Sequence, residues 1–273
     1  MLEGYRIVAL ATNIPVPVAA ARLRALGASV VKVEPPRGDA LAYAAPDWYA
    51  RIVDGMQVVT MDLREPALRE RLGALLADAD LLLTAMRART LATVGLDEAT
   101  LRAVHPQLSH VALVGEAPPR DDRPGHDLTY QARAGTIGPP AMPRALVGDM
   151  AAAEQIVSAS LGALLQRERS GATTFTHVSI TDAVLAFAQP FVHGLTAPGG
   201  ALGGGLPAYG IYPAADGWVA VAALEPHFAQ RLREMLGISE LDRASLQTAL
   251  AARGAQAWEM LAQEHDVPLV AVR

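Results

Sequence analysis

The chain has 273 residues, a formal net charge of −5, 51 % hydrophobic and 19 % charged residues, and no cysteine. That is chain enough for one large domain or two smaller ones with a sizeable core, and it excludes disulfides, thiolate catalysis and cysteine–zinc sites. An acidic balance without any basic stretch interleaved with aromatics argues against a nucleic-acid partner. No apolar run is long enough to span a bilayer. Met1-Leu2-Glu3-Gly4-Tyr5-Arg6 lacks the basic-then-apolar pattern of a signal peptide, so a cytoplasmic protein without membrane contact is expected.

The first half alternates strand and helix signals. Tyr5–Leu10 is a short apolar run, and Val18–Leu26 reads as a helix stopped by Gly27. Ser29–Val33 is β-branched and reads as a strand ended by Pro35-Pro36. Gln57–Met61 is another strand, and Pro66 suits the first turn of a helix through Ala77. Asp80–Thr84 and His110–Val114 are two further apolar runs, with a short helix near Asp97–Val104 between them. Strands alternating with helices predict βαβ units and a mostly parallel sheet, that is, a Rossmann-like α/β large domain.

A helical stretch follows His126, then a loop rich in Gly and Pro (135–143), then a small-residue helix over Ala151–Arg167 with Gly171 beyond its end. Thr174–Ile180 alternates as a strand, and Thr181-Asp182 can cap a helix through Gln189. The segment 197–207 holds five glycines and two prolines, which reads as a linker or mobile loop. Ala208–Leu224 gives two short strands joined at Ala215-Asp216-Gly217, a hairpin signal. Two helices and a final apolar run, Val267–Val272, end the chain. The expected division is a large domain over 1–196, a linker over 197–207 and a smaller α+β domain over 208–273.

No Gly-x-Gly-x-x-Gly follows the first strand and no P-loop is present, so the sheet is not expected to hold a dinucleotide or nucleoside triphosphate in the usual way. The seven histidines include no pair at metal-ligand spacing, so no metal is expected. Of the 23 basic residues only Lys32 is lysine, so phosphate contacts fall to arginine or to backbone N–H groups.

Three ionisable residues stand beside Gly or Pro, where functional side chains tend to be placed: His126 in Pro124-Gly125-His126-Asp127-Leu128-Thr129-Tyr130, Asp149 in Val147-Gly148-Asp149, and Glu225 in Leu224-Glu225-Pro226-His227-Phe228. A histidine and two carboxylates are the groups needed to move a proton on and off carbon. Taken singly, Asp149 reads equally well as the N-cap of a helix starting at Met150 or Ala151. His126 alone reads as a loop histidine, Glu225 as an exposed residue at a helix start, and Tyr130 as a packing residue.

In order along the chain, Leu26-Gly27-Ala28-Ser29-Val30-Val31-Lys32-Val33-Glu34, Val59-Thr60-Met61-Asp62-Leu63-Arg64, Ala79-Asp80-Leu81-Leu82-Leu83, Val94-Gly95-Leu96, Arg123-Pro124-Gly125-His126-Asp127 and Tyr209-Gly210-Ile211-Tyr212-Pro213-Ala214-Ala215-Asp216-Gly217 resemble the class III CoA-transferase family, which also contains α-methylacyl-CoA racemase. In that family the transferases use an aspartate, here Asp149, that attacks an acyl-CoA thioester. The racemases use it as a base opposite a histidine assisted by a glutamate. Gly125-His126-Asp127 with Tyr130, and Leu224-Glu225-Pro226-His227-Phe228, resemble the racemase branch. The resemblance implies an acyl-CoA epimerase acting at the α-carbon of a 2-methylacyl-CoA in lipid metabolism, with His126, Asp149 and Glu225 catalytic. Arg37, Arg64, Arg87, Asp127 and Tyr130 would bind CoA, and no cofactor beyond CoA itself is implied. A CoA-transferase and an inactive acyl-CoA-binding subunit are the alternatives. The resemblance also implies a homodimer. Family members run longer and return to the large domain after the small one. This sequence stops about where that return begins, which predicts subunits held by surface contact rather than interlocked.

Overall fold

A computed structural model describes residues 1–273, which divide into two compact units, Met1–Ala188 and Gln189–Arg273. In the first unit, β1 (Arg6–Leu10), β2 (Ser29–Glu34), β3 (Gln57–Thr60), β4 (Leu81–Thr84), β5 (Ser109–Val114) and β6 (Phe175–Ser179) form one sheet. The order is β3-β2-β1-β4-β5-β6, with every neighbouring pair parallel. The crossover helices are α1 (Pro15–Ala25), α2 (Leu41–Ala44), α3 (Pro46–Val53), α4 (Pro66–Ala77), α5 (Ala88–Thr93), α6 (Glu98–Val104), α7 (Asp127–Ala134) and α8 (Val147–Ser170), and α9 (Ile180–Phe187) follows the last strand.

The central strands β1, β4 and β5 are buried along nearly their whole length and read as near-continuous apolar runs. Alternate side chains go to opposite faces. Ile7, Ala9, Leu81 and Leu83 join a core with Leu23 of α1 and Ile156 of α8. Val8, Leu10 and Leu82 join a second core with Leu72 and Leu76 of α4 and Leu101 of α6. Helices α1 and α8 meet through Ala19, Ala20, Ala152 and Ala153, all fully buried, so the alanine run after Asp149 is a surface for close helix packing. No helix is long and apolar enough to cross a membrane.

Several local expectations are corrected. Helix α1 begins at Pro15 rather than Val18, because proline is well placed at a first helical turn. Helices α2 and α3 were not read from sequence, and neither has a side-chain cap. The cap of α9 is Ser179, whose hydroxyl accepts from the Asp182 N–H at 3.2 Å, rather than Thr181-Asp182. Helix α8 begins at Val147, which puts Asp149 inside its first turn instead of at its cap.

The second unit begins with α10 (Gln189–Val192) and an irregular turn over Ala201–Gly205. Within that turn Gly200 and Gly203 lie so close to the carbonyls of Gly194 and Ala197 that a Cβ would collide with them, so the Gly-rich stretch is a folded backbone turn. The strands β7 (Tyr209–Ala214) and β8 (Gly217–Ala222) form the hairpin, and β9 (Leu269–Ala271) pairs antiparallel with β8. Three helices, not two, cover one face: α11 (Pro226–Leu236), α12 (Arg243–Leu250) and α13 (Ala255–Glu264). Their core holds Tyr212, Val219, Leu232, Leu246 and Trp258.

Candidate active site

In an open parallel sheet the crevice for a ligand lies at the carboxyl ends of the strands where the strand order reverses. Here that point falls between β1 and β4. A cavity of about 210 Å³ opens there, lined after β1 by Thr12 and Asn13 and after β4 by Ala85, Met86 and Arg87. His126, Tyr130 and Asp149 line the same cavity. A second cavity of about 240 Å³ shares Thr12, Ala85 and Met86 with the first and carries Arg37 on its wall. The two together form an extended cleft over the sheet's switch point.

His126 is the residue before α7. The Thr129 hydroxyl accepts from its N–H at 3.1 Å and donates to its carbonyl at 2.8 Å, which fixes the backbone at the helix start. Tyr130, one turn into the helix and 4 % exposed, packs its hydroxyl where any side chain at Gly115 or Gly125 would stand. The glycine preceding His126 is thus a requirement of the tyrosine.

Asp127 does the capping that Asp149 alone would be expected to do. It is 5 % exposed, and its Oδ1 accepts from the N–H groups of Gly148 at 2.7 Å and Asp149 at 3.0 Å. Its Oδ2 accepts from Gln131 Nε2 at 2.6 Å. Two consequences follow. The side chain of Asp149 is released from capping and lines the cavity. The N–H groups of Gly148 and Asp149, in the first turn of α8, are already occupied. Gly148 is fixed by the same packing, since a Cβ there would sit 2.8 Å from Val184 Cγ2 and 3.0 Å from Asp127 Oδ1.

Burial raises the pKa of Asp149 to about 6; the Asp127 carboxylate adds to the rise and His126 opposes it. A carboxyl poised near neutrality can give and take a proton at working pH.

The β1–α1 loop is held from beneath. Asn13 has φ +73°, a left-handed conformation that asparagine tolerates, and its N–H donates to Asp39 Oδ1 at 3.0 Å. Asp39 also accepts from Leu41 N–H at 3.0 Å and from Lys32 Nζ at 2.8 Å. Lys32 pairs with Glu34 as well, and Tyr49 donates to Glu34 at 2.7 Å. Lys32 and Asp39 are fully buried side chains, so this network ties the two loops that border the cleft.

Within the first unit, Arg64 and Asp127 do not line this cavity. Arg64 is exposed after β3 and forms a fork with Asp62, with contacts of 2.9 and 2.6 Å. Asp127 has both oxygens committed inside the protein. Glu225 belongs to the second unit, where it is exposed at the N-terminus of α11 without a side-chain capping bond. The structure therefore brings together His126, Asp149, Tyr130 and Arg87 in the first unit. It adds Thr12, Asn13, Asp121 and Arg123, which sequence reasoning did not single out; the signal available for Arg123 was its position directly before Pro124-Gly125-His126.

The model of CoA-transferase family III matches residues 2–273. A probable fatty acyl-CoA transferase of Mycobacterium tuberculosis is 28 % identical over 319 aligned positions, covering 97 % of this chain and 81 % of that protein. Its crystal structure superposes with a TM-score of 0.86 at 26 % identity, covering 100 % of this chain and 85 % of that one. Cinnamoyl-CoA:phenyllactate CoA-transferase of Clostridium sporogenes is 30 % identical over 227 positions, covering 72 % of this chain and 55 % of that protein. Mouse alpha-methylacyl-CoA racemase is 29 % identical over 258 positions, covering 87 % and 65 %. The chain thus spans between about half and four-fifths of these relatives' lengths. With a six-stranded parallel sheet, a smaller antiparallel sheet and a cleft at the switch point, it belongs to CoA-transferase family III.

Proposed function

We propose that the protein is an acyl-CoA epimerase that moves a proton at the α-carbon of a 2-methylacyl-CoA thioester, with His126 and Asp149 as the acid–base pair. The observation that carries this reading is that both groups line one cavity while burial poises Asp149 near neutrality. One of the pair removes the α-proton and the C–H electrons pass to the thioester oxygen as an enolate. The other returns a proton to the opposite face, and the thioester carbonyl re-forms. With the N–H groups of Gly148 and Asp149 taken by Asp127, stabilisation of the enolate oxygen falls to other donors on the wall, where Thr12 and Asn13 stand. CoA enters as part of the substrate, and the extended cleft with Arg87 and Arg37 along it suits a long phosphorylated ligand.

A second reading is favoured by the transferase names of the M. tuberculosis and C. sporogenes relatives. In it a carboxylate oxygen of Asp149 attacks the thioester carbonyl, giving a mixed anhydride and CoA thiolate. The thiolate attacks the aspartyl carbonyl, releasing the donor acid and leaving an aspartyl-CoA thioester. The acceptor carboxylate attacks that thioester, giving a second anhydride and CoA thiolate. The thiolate then attacks the acceptor's carbonyl, giving the acceptor's CoA thioester and freeing Asp149. Solvent deuterium separates the two. Incorporation at the α-carbon without an acceptor acid, lost by about 10²-fold or more in His126→Ala, supports epimerisation. A hydroxylamine-sensitive adduct on Asp149 and CoA exchange that requires an acceptor overturn it in favour of transfer. Binding of acyl-CoA with neither activity overturns both, in favour of an inactive binding subunit.

A further inference from the structure

Glu34 closes β2, the strand beside β1, and only one of its two carboxylate oxygens is used inside the protein. Lys32 Nζ donates to Oε1, and the Tyr49 hydroxyl donates to the same oxygen at 2.7 Å. Oε2 has no hydrogen-bond partner in the chain, although the residue is only 6 % exposed. The lysine is already shared, since Lys32 also answers Asp39 at 2.8 Å; the buried set holds two carboxyl groups and one amine. Glu34 lines the cavity of about 240 Å³ that carries Arg37. A nearly buried acceptor left without a donor costs free energy, and a ligand that brings a donor recovers it.

The turn after Glu34 places a cation on the same wall. Pro35-Pro36-Arg37-Gly38 is closed by the Gly38 N–H, which donates to the Pro35 carbonyl at 2.8 Å, with Gly38 at φ +73°. A Cβ on Gly38 would stand 3.9 Å from Glu34 Oε2, so the turn folds back beside that oxygen. Arg37, next to Gly38, is exposed and lines the cavity with Glu34. The strand order β3-β2-β1-β4-β5-β6 is the one in which dinucleotide-binding sheets use an acid, about twenty residues past the first turn, to hold a ribose hydroxyl. Glu34 occupies that place relative to Asn13 in the turn after β1. No glycine-rich turn accompanies it, so the acid is present without the pyrophosphate cradle.

We propose that Glu34 Oε2 accepts the 2′-hydroxyl of the CoA ribose and that the 3′-phosphate, on the neighbouring carbon, is directed to Arg37. Glu34 is then a specificity-determining residue for the nucleotide end of the substrate. The proposal rests on the acyl-CoA reading above. The adenine amino group is a second donor CoA carries, but it is separated from the 3′-phosphate by the whole nucleoside, whereas the hydroxyl and the phosphate are adjacent, as Glu34 and Arg37 are on their turn.

The test is calorimetric titration with CoA, 2′-deoxy-CoA and 1,N6-etheno-CoA, the last having its adenine amino group blocked. Wild type is expected to bind 2′-deoxy-CoA at least about ten-fold more weakly than CoA, the range of one hydrogen bond to a charged group, and etheno-CoA about as tightly as CoA. This comparison needs no variant, so it stands even where a change at the buried Glu34 prevents folding. Folded Glu34→Gln should narrow the ten-fold difference, and Arg37→Gln should weaken CoA more than 3′-dephospho-CoA. Equal affinity of wild type for CoA and 2′-deoxy-CoA overturns the proposal. So does a loss confined to etheno-CoA, which would assign the oxygen to the base, or a folded Glu34→Gln that keeps the full difference, or an Arg37→Gln loss shared equally by CoA and 3′-dephospho-CoA. A wild type that binds none of these ligands overturns the acyl-CoA reading itself and the proposal with it.

Discussion

Replacing Asp149 by asparagine should make the protein more stable at neutral pH and no more stable in acid. In the folded protein the Asp149 carboxyl is held at about 6, against an ordinary 3.8, because it is buried beside Asp127. A difference of that size costs the ionised form about 3 kcal/mol. The cavity leaves Asp149 partly in contact with solvent, which reduces the cost to about 2 kcal/mol. The sign follows from proton counting. Between about pH 4 and 6 the folded state binds the proton more tightly than the unfolded chain, so wild-type stability falls as pH rises through that window. Below it both states are protonated and the penalty is absent; above it the penalty is complete. Asparagine has the same shape and no charge to bury. Thermal melts of wild type and Asp149→Asn from pH 4 to 8 should therefore diverge with rising pH, reaching about 4–8 °C for a unit of this size. Equal melting temperatures at pH 7.5, or a difference that grows toward acid, would refute the account of why this carboxyl is raised.

Three further outcomes are expected. Asp127→Asn removes the like charge that helps raise Asp149, so the acid limb of the pH–rate profile should move to lower pH, and an unmoved limb would deny that coupling. Lys32→Met leaves Asp39 and Glu34 buried without their cation and should cost about 3–5 kcal/mol in denaturant unfolding of the first unit; a loss under about 1 kcal/mol would mean the network is dispensable. Arg87→Ala should weaken CoA binding more than binding of a short pantetheine thioester, by roughly 1.5–3 kcal/mol for a lost charge-assisted contact, whereas equal loss for both ligands would place Arg87 away from the nucleotide.

The central strands β1, β4 and β5 were legible because they are buried along nearly their whole length and read as apolar runs. Pro66 and Asp97 marked their helix starts because those signals are local: the Asp97 side chain accepts from Thr100 N–H three residues on, at 3.1 Å. The start of α8 was misread because its cap comes from Asp127, more than twenty residues earlier in the chain, and no window along the sequence contains that bond. Arg64 is engaged at the surface by Asp62, two residues away in the chain. The pairing of His126 with Asp149 was expected from the resemblance, and both residues line one cavity. Asn13 and Asp121 carried no such pattern, since a polar residue in a loop becomes a cavity wall only when several strand ends meet.

The burial of Lys32 reaches beyond the loops it ties together. It is the chain's single lysine, and its side chain is 0 % exposed, so the folded surface offers no lysine amine to an acylating agent. A reactive thioester in solution, or a lysine-directed dye, finds no nucleophile of that kind until the sheet around β2 opens. The rate at which Lys32 becomes acylated is then a clock for that local opening, read at one residue by mass spectrometry without isotope exchange.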